Sequence, residues 1–139
     1  MTLVELIITL SIMVIVIYIV FPKDNIQKYE LDSFARQFAS DIRYVRSINI
    51  NGNENFYLEN IKSTDDSRYV IKDNSEIIKT VYLPQNSILT STYPIIKFKS
   101  DGTLNSIGET MTLKSEYRTI EITIIPFSGR VLLKEGKYE

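Results

Sequence analysis

Between Met1 and Phe21 the chain carries a single charge, Glu5, and its only uncharged polar side chains are Thr2, Thr9, Ser11 and Tyr18. An α-helix rises about 1.5 Å per residue, so this run spans roughly 31 Å, the thickness of a bilayer's hydrocarbon core. The segment is therefore long and apolar enough to cross a membrane. No Lys or Arg precedes it, and Phe21-Pro22-Lys23-Asp24 follows it in place of a small-residue cleavage site, so a cleaved secretory signal is disfavoured.

Glu5 is what an ordinary anchor does not explain. A carboxylate inside an apolar helix is costly, roughly 2.5–3.5 kcal/mol for a central Asp even on lenient insertion scales. No Lys or Arg lies within reach on the same segment before Lys23, so the nearest available cation is the α-amino group of Met1, in the same chain or in a neighbour. Pairing between chains would neutralise two charges at once and set a stagger between helices.

Thr2-Leu3-Val4-Glu5-Leu6 at the head of an unbroken apolar stretch, with Pro22 at its end, resembles the mature N-terminus of type IV pilins and pseudopilins. The resemblance implies processing of a leader by a prepilin peptidase and methylation of the new N-terminus at Met1. It also implies assembly through Glu5 and Met1, with a helix kink at Pro22.

Beyond Pro22 the apolar residues become periodic. Leu31, Phe34, Phe38, Ile42, Val45 and Ile48 recur at spacings of three and four, and Ala35 and Ala39 widen the stripe. This predicts an amphipathic helix capped by Asp24 or Asn25 and ended by the Asn-rich stretch from Asn49 to Asn55 with Gly52. Pro22 removes a backbone hydrogen bond, which predicts a bend between the two halves. Arg36, Arg43 and Arg46 are read as a solvated face away from the stripe.

After Gly52 the pattern alternates and the residue types favour strands: Phe56 to Leu58, Arg68 to Lys72, Ile77 to Leu83, Tyr93 to Lys99, Thr110 to Lys114, Arg118 to Ile125 and Arg130 to Lys134. Turn signals such as Asp73-Asn74, Asp101-Gly102 and Ser128-Gly129 separate them. The expected fold is α+β, a long N-terminal helix packed on a small antiparallel sheet or sandwich. Its parts are 1–22 (membrane or filament-core half), 23–50 (amphipathic half) and 51–139 (β domain).

Within that β region, Phe98-Lys99-Ser100-Asp101-Gly102 and Ser128-Gly129-Arg130-Val131 are similar to the closing motifs of the GspH/FimT-like minor pilins. The helix segment Phe38 to Arg46, with Asp41-Ile42-Arg43, resembles the same group. This implies a minor pilin or pseudopilin of a type IV pilus or type II secretion system. Its partners would be other pilin subunits, the prepilin peptidase and an assembly platform. It would sit in the cell membrane before assembly and in a surface filament afterwards.

Composition closes several other routes. The chain has no Cys and no His, which removes thiolate nucleophiles, imidazole bases and the usual zinc or haem ligands, so no enzyme, cofactor or metal is expected. No phosphate-binding loop, nucleophile elbow or dinucleotide fingerprint occurs. Asp65-Asp66 is read as a solvated turn, and the Asn49 to Asn55 stretch lacks the spaced carboxylates of a calcium loop. The net charge of −1 gives no general attraction to nucleic acid. After Pro126, Arg130, Lys134 and Lys137 stand against Glu135 and Glu139, a local excess of one positive charge. That excess engages few phosphates, so DNA binding through Arg130 and Lys134 stands as an alternative beside a main filament subunit.

Overall fold

The computed structural model of the chain describes residues 2–20, 23–62, 66–116 and 118–135. Met1 and Pro22 lie outside them, and so do the expected bend at Pro22 and residue 65 of the Asp65-Asp66 pair.

Helix α1 runs Leu3–Val20 and α2 runs Lys23–Ile50. They are opposite in character. No residue of α1 is buried, although nearly all of its side chains are apolar. In α2, Leu31, Phe34, Ala35, Phe38, Ala39, Ile42 and Val45 are all buried, which is the stripe that the three-and-four spacing predicts. Ile48 packs at its margin.

Eight strands follow: β1 Phe56–Ile61, β2 Arg68–Asp73, β3 Glu76–Tyr82, β4 Ser87–Thr90, β5 Ile95–Ile96, β6 Glu109–Ser115, β7 Thr119–Ile124 and β8 Val131–Glu135. They form two antiparallel four-stranded sheets, ordered β3-β2-β1-β5 and β4-β6-β7-β8. The fold is α+β, as the change of period at Gly52 predicts. Two strands differ from expectation. Ser87–Thr90 is a strand that its short Ser-Ile-Leu-Thr run between Asn86 and Ser91 does not announce. The expected strand from Tyr93 to Lys99 is only two residues long, followed by an isolated Phe98–Leu104 bridge. The loss has a cause, because Asn105 and Thr103 turn back to engage Lys97 and Lys99 and use the backbone groups that a longer strand would need.

One core joins the helix to both sheets. From the first sheet come Leu58, Tyr69, Ile71 and Ile96, and from the second Leu89, Met111, Leu113, Ile120, Ile122, Ile124 and Val131. Register explains the alternation on β6 and β7. Met111 faces Ile122 and Leu113 faces Ile120 on the buried side, while the hydroxyls of Thr110 and Thr123 meet at 3.1 Å on the outer side. Phe34 and Phe38 of α2 pack on the Tyr69 ring, with centroids 5.7 and 4.8 Å away. Asp32 of α2 receives the Arg118 guanidinium at 2.5 Å, tying the start of β7 to the helix.

Candidate functional site

Two places in the molecule hold residues singled out above, and a third brings in new ones. The first is the N-terminal end of α1. The Thr2 backbone N–H donates to Glu5 Oε2 and the Glu5 backbone N–H donates to Thr2 Oγ1, each at 3.3 Å. This is a capping box, in which two helix-end donors without helical acceptors are satisfied reciprocally. The Thr-x-x-Glu spacing is its sequence signature, so Glu5 has a local partner besides any cation. The pairing of Glu5 with Met1 falls outside the described residues. Glu5 Oε1 has no donor among the described residues, so the capped carboxylate keeps one oxygen available.

The second place is the far end of α2, where three separate pieces of sequence converge. Arg46 Nε donates to the Gly102 carbonyl at 3.0 Å, and Gly102 and Gly129 both lie against the Arg46 side chain. A Cβ on Gly129 would run into Arg46 Nε and the Gly102 carbonyl oxygen, and its φ of 60° is left-handed, so two independent constraints select glycine there. The Phe98 to Gly102 motif, the Ser128 to Val131 motif and the helical arginine thus form one rivet holding two turns on the helix. Arg43 does similar work, donating to the Val131 carbonyl at 3.2 Å. The solvated-face reading is therefore corrected for Arg46, which is half-buried in this contact, whereas Arg43 stays exposed while its guanidinium reaches the Val131 carbonyl. Arg36 is exposed.

Gly129→Ala is expected to destabilise the domain by about 2 kcal/mol, from left-handed strain plus the displaced arginine. The thermal midpoint should fall by roughly 5–10 °C in circular dichroism of the detergent-solubilised chain. An unchanged midpoint would mean that the two turns do not depend on this contact.

Around the rivet, Asp101 Oδ1 accepts from the Thr103 hydroxyl at 2.6 Å and the Thr103 N–H at 2.9 Å, which holds its carboxyl below the usual range. Asn49 is fully buried, and its Nδ2 donates to the Phe56 and Phe98 carbonyls at 3.0 and 2.8 Å. It fastens the end of α2 to β1. Among the described residues no three acidic side chains gather as they would around a cation. Arg130 and Lys134 are both exposed, and Lys134 stands opposite Glu121 in the β7–β8 register. That neighbour further reduces the local positive charge available to a phosphate backbone.

The third place was not anticipated. Asp41 of α2 is only 7% exposed and takes the Lys79 ammonium on both oxygens, at 2.8 and 2.7 Å, and the Tyr69 hydroxyl at 2.7 Å. The signal for it was an Asp lying beside the apolar stripe, where an unpaired carboxylate is not tolerated. Burial and then the Asp41 carboxylate push the Tyr69 hydroxyl well above its ordinary range, so it stays a donor. The residues are ordered for cohesion between helix and sheet. No family model, no curated protein and no solved structure matches the chain.

Proposed function

We propose that the chain is a non-enzymatic structural subunit of a type IV pilus-like or pseudopilus-like filament, most like a minor pilin. It would be membrane-anchored before assembly and polymerised through its first helix. One observation carries this reading: α1 is long and apolar enough to cross a membrane, none of it packs on its own domain, and it bears one carboxylate at its head. Such a helix requires lipid or other apolar helices around it. A plain anchor accounts for the apolar surface and, through the capping box, for one oxygen of Glu5, but not for a charge where a neutral Gln would cap as well. A filament core accounts for both, because the free carboxylate oxygen can take the N-terminal amine of an adjacent subunit while Thr2 keeps the carboxylate oriented. The two-sheet domain then decorates the outside.

Quantitative mass spectrometry of sheared, purified surface filaments tests the reading. The expected result is this chain at low copy number with a methylated Met1. High copy number would make it the main filament subunit. Absence from filaments, with an unmodified or longer N-terminus, would reduce α1 to an anchor and end the proposal.

A further inference from the structure

Strand β4 lies at the edge of its sheet. β6 pairs with one side of it, and the other side has no backbone partner among the described residues. In an antiparallel pair, alternate residues aim their N–H and C=O groups away from the partner strand, so the outer side of β4 offers a short row of donors and acceptors. A cavity of about 370 Å³ runs along it. All four residues of β4 line this cavity, although neighbouring side chains leave a strand on opposite faces, which places the cavity at the strand's edge and not over either face. Its far wall is the end of the first sheet, built from the close of β1, the start of β2 and Leu83 just past β3.

That far wall is cationic. Lys62 and Arg68 both line it, and among the described residues no Asp or Glu does. Lys62 reaches the Ser91 carbonyl at 3.5 Å, and Arg68 meets the exposed Asp66 at 3.5 Å, a contact that water screens. Asn60 adds a third feature. The alternation of β1 buries Phe56, Leu58 and Asn60 on one face, so an amide stands where the pattern calls for an apolar side chain, only 8% exposed. Its Nδ2 reaches Ser91 Oγ at 3.5 Å, while its Oδ1 has no donor among the described residues, a costly state for a buried acceptor. Leu83 and Leu89 add apolar wall to the same cavity.

We infer that this slot takes the carboxy-terminal end of another polypeptide in extended form. The terminal carboxylate faces Lys62 and Arg68, the backbone pairs with the outer edge of β4, and an apolar last side chain lies against Leu83 and Leu89. A backbone N–H brought into the slot supplies the donor that Asn60 lacks. The features select this occupant together. A free anion would meet the cations and leave the strand edge unused, whereas a strand passing through would use the edge and bring no anion. The volume holds only a few residues, which suits a chain end. Neither α1 nor Glu5 enters this contact, so it stands or falls apart from the filament reading.

The test uses the full chain in detergent and fluorescence anisotropy with short labelled peptides. Their last residue is Leu, Val, Lys or Glu, the inner positions are randomised, and each is made as the free acid and as the carboxy-terminal amide. Free acids ending in Leu or Val are expected to bind. Amidation should weaken them on the order of tenfold, as should Arg68→Gln, with Lys62→Gln acting in the same direction. An N-methyl group moved along the peptide should block binding at alternate positions only, which is the signature of strand pairing. Amidation and N-methylation change the probe alone, so both readouts hold whatever Arg68→Gln does to β2. Equal binding of acid and amide, indifference to N-methylation at every position, or no binding by any peptide overturns the proposal. Binding of glucuronate in place of the peptides would assign the slot to acidic sugars and overturn it as well.

Discussion

Glu5→Val is expected to leave the chain in the membrane fraction while lowering its recovery in sheared filaments at least about tenfold, a floor of about 1.4 kcal/mol that lies below the cost of a buried charge pair broken from one side. Removing the carboxylate makes the helix easier to insert, so a loss of incorporation cannot be assigned to a failed anchor. The capping box adds a way to separate two roles of the same side chain. Glu5→Gln keeps an acceptor for the Thr2 N–H, and a Gln at this position still completes a capping box, but the charge is gone. Thr2→Val does the reverse, removing the hydroxyl that accepts the Glu5 N–H and leaving the charge. If charge pairing between subunits drives assembly, Glu5→Gln behaves like Glu5→Val and Thr2→Val has the smaller effect. If capping is all that Glu5 does, Glu5→Gln assembles normally. Wild-type incorporation of Glu5→Val would remove the residue from the mechanism.

The second large effect is predicted at Asp41. Its carboxylate is the common partner of Lys79 and Tyr69, so Asp41→Ala leaves a largely buried hydroxyl and an ammonium without their acceptor. Breaking a buried pair from one side costs about 3–5 kcal/mol, and the partial exposure of Lys79 argues for the lower end. The thermal midpoint of the solubilised chain should therefore drop by roughly 10–20 °C. Asp41→Asn should lose less, because an amide oxygen still accepts from both donors.

The same cluster predicts a pH dependence. Unfolded Tyr69 ionises from about pH 10, while the folded hydroxyl, buried and bonded to Asp41, stays protonated. The unfolded state then holds fewer protons, so Tyr69's contribution to stability is complete below pH 10 and is lost as the pH rises above it. Tyr69→Phe should remove this part of the alkaline loss, measurable as a shallower decline in midpoint between pH 9 and 11. An unchanged decline would place the alkaline sensitivity in other tyrosines.

The sequence by itself determined the parts of this protein that depend on local period and composition. A run with one charge between Met1 and Phe21 can only be a helix meant for apolar surroundings. The stripe from Leu31 to Val45 marks which face of α2 is buried, and the alternation after Gly52 announces an antiparallel β domain. These features are legible because each is a pattern of neighbours a few residues apart. The capping box is equally local, a Thr three residues before a Glu, but the same carboxylate also reads as an unpaired charge, and only the helix-end geometry shows it bonded to Thr2.

Only the tertiary structure decided the long-range matters. Arg46 and Gly129 are 83 positions apart and meet because two hairpin turns fold back onto one helix. Asp41 finds Lys79 and Tyr69 because β3 and β2 run beside α2. The residue types at such sites are ordinary: an arginine on a helix reads as solvated, and a glycine in a turn reads as a turn. Their roles arise from desolvation, which makes a buried donor or acceptor costly unless the fold supplies a partner. The exposed Phe127 ring is the converse case, since a Phe in the sequence predicts burial, and only the packed domain reveals one left in water.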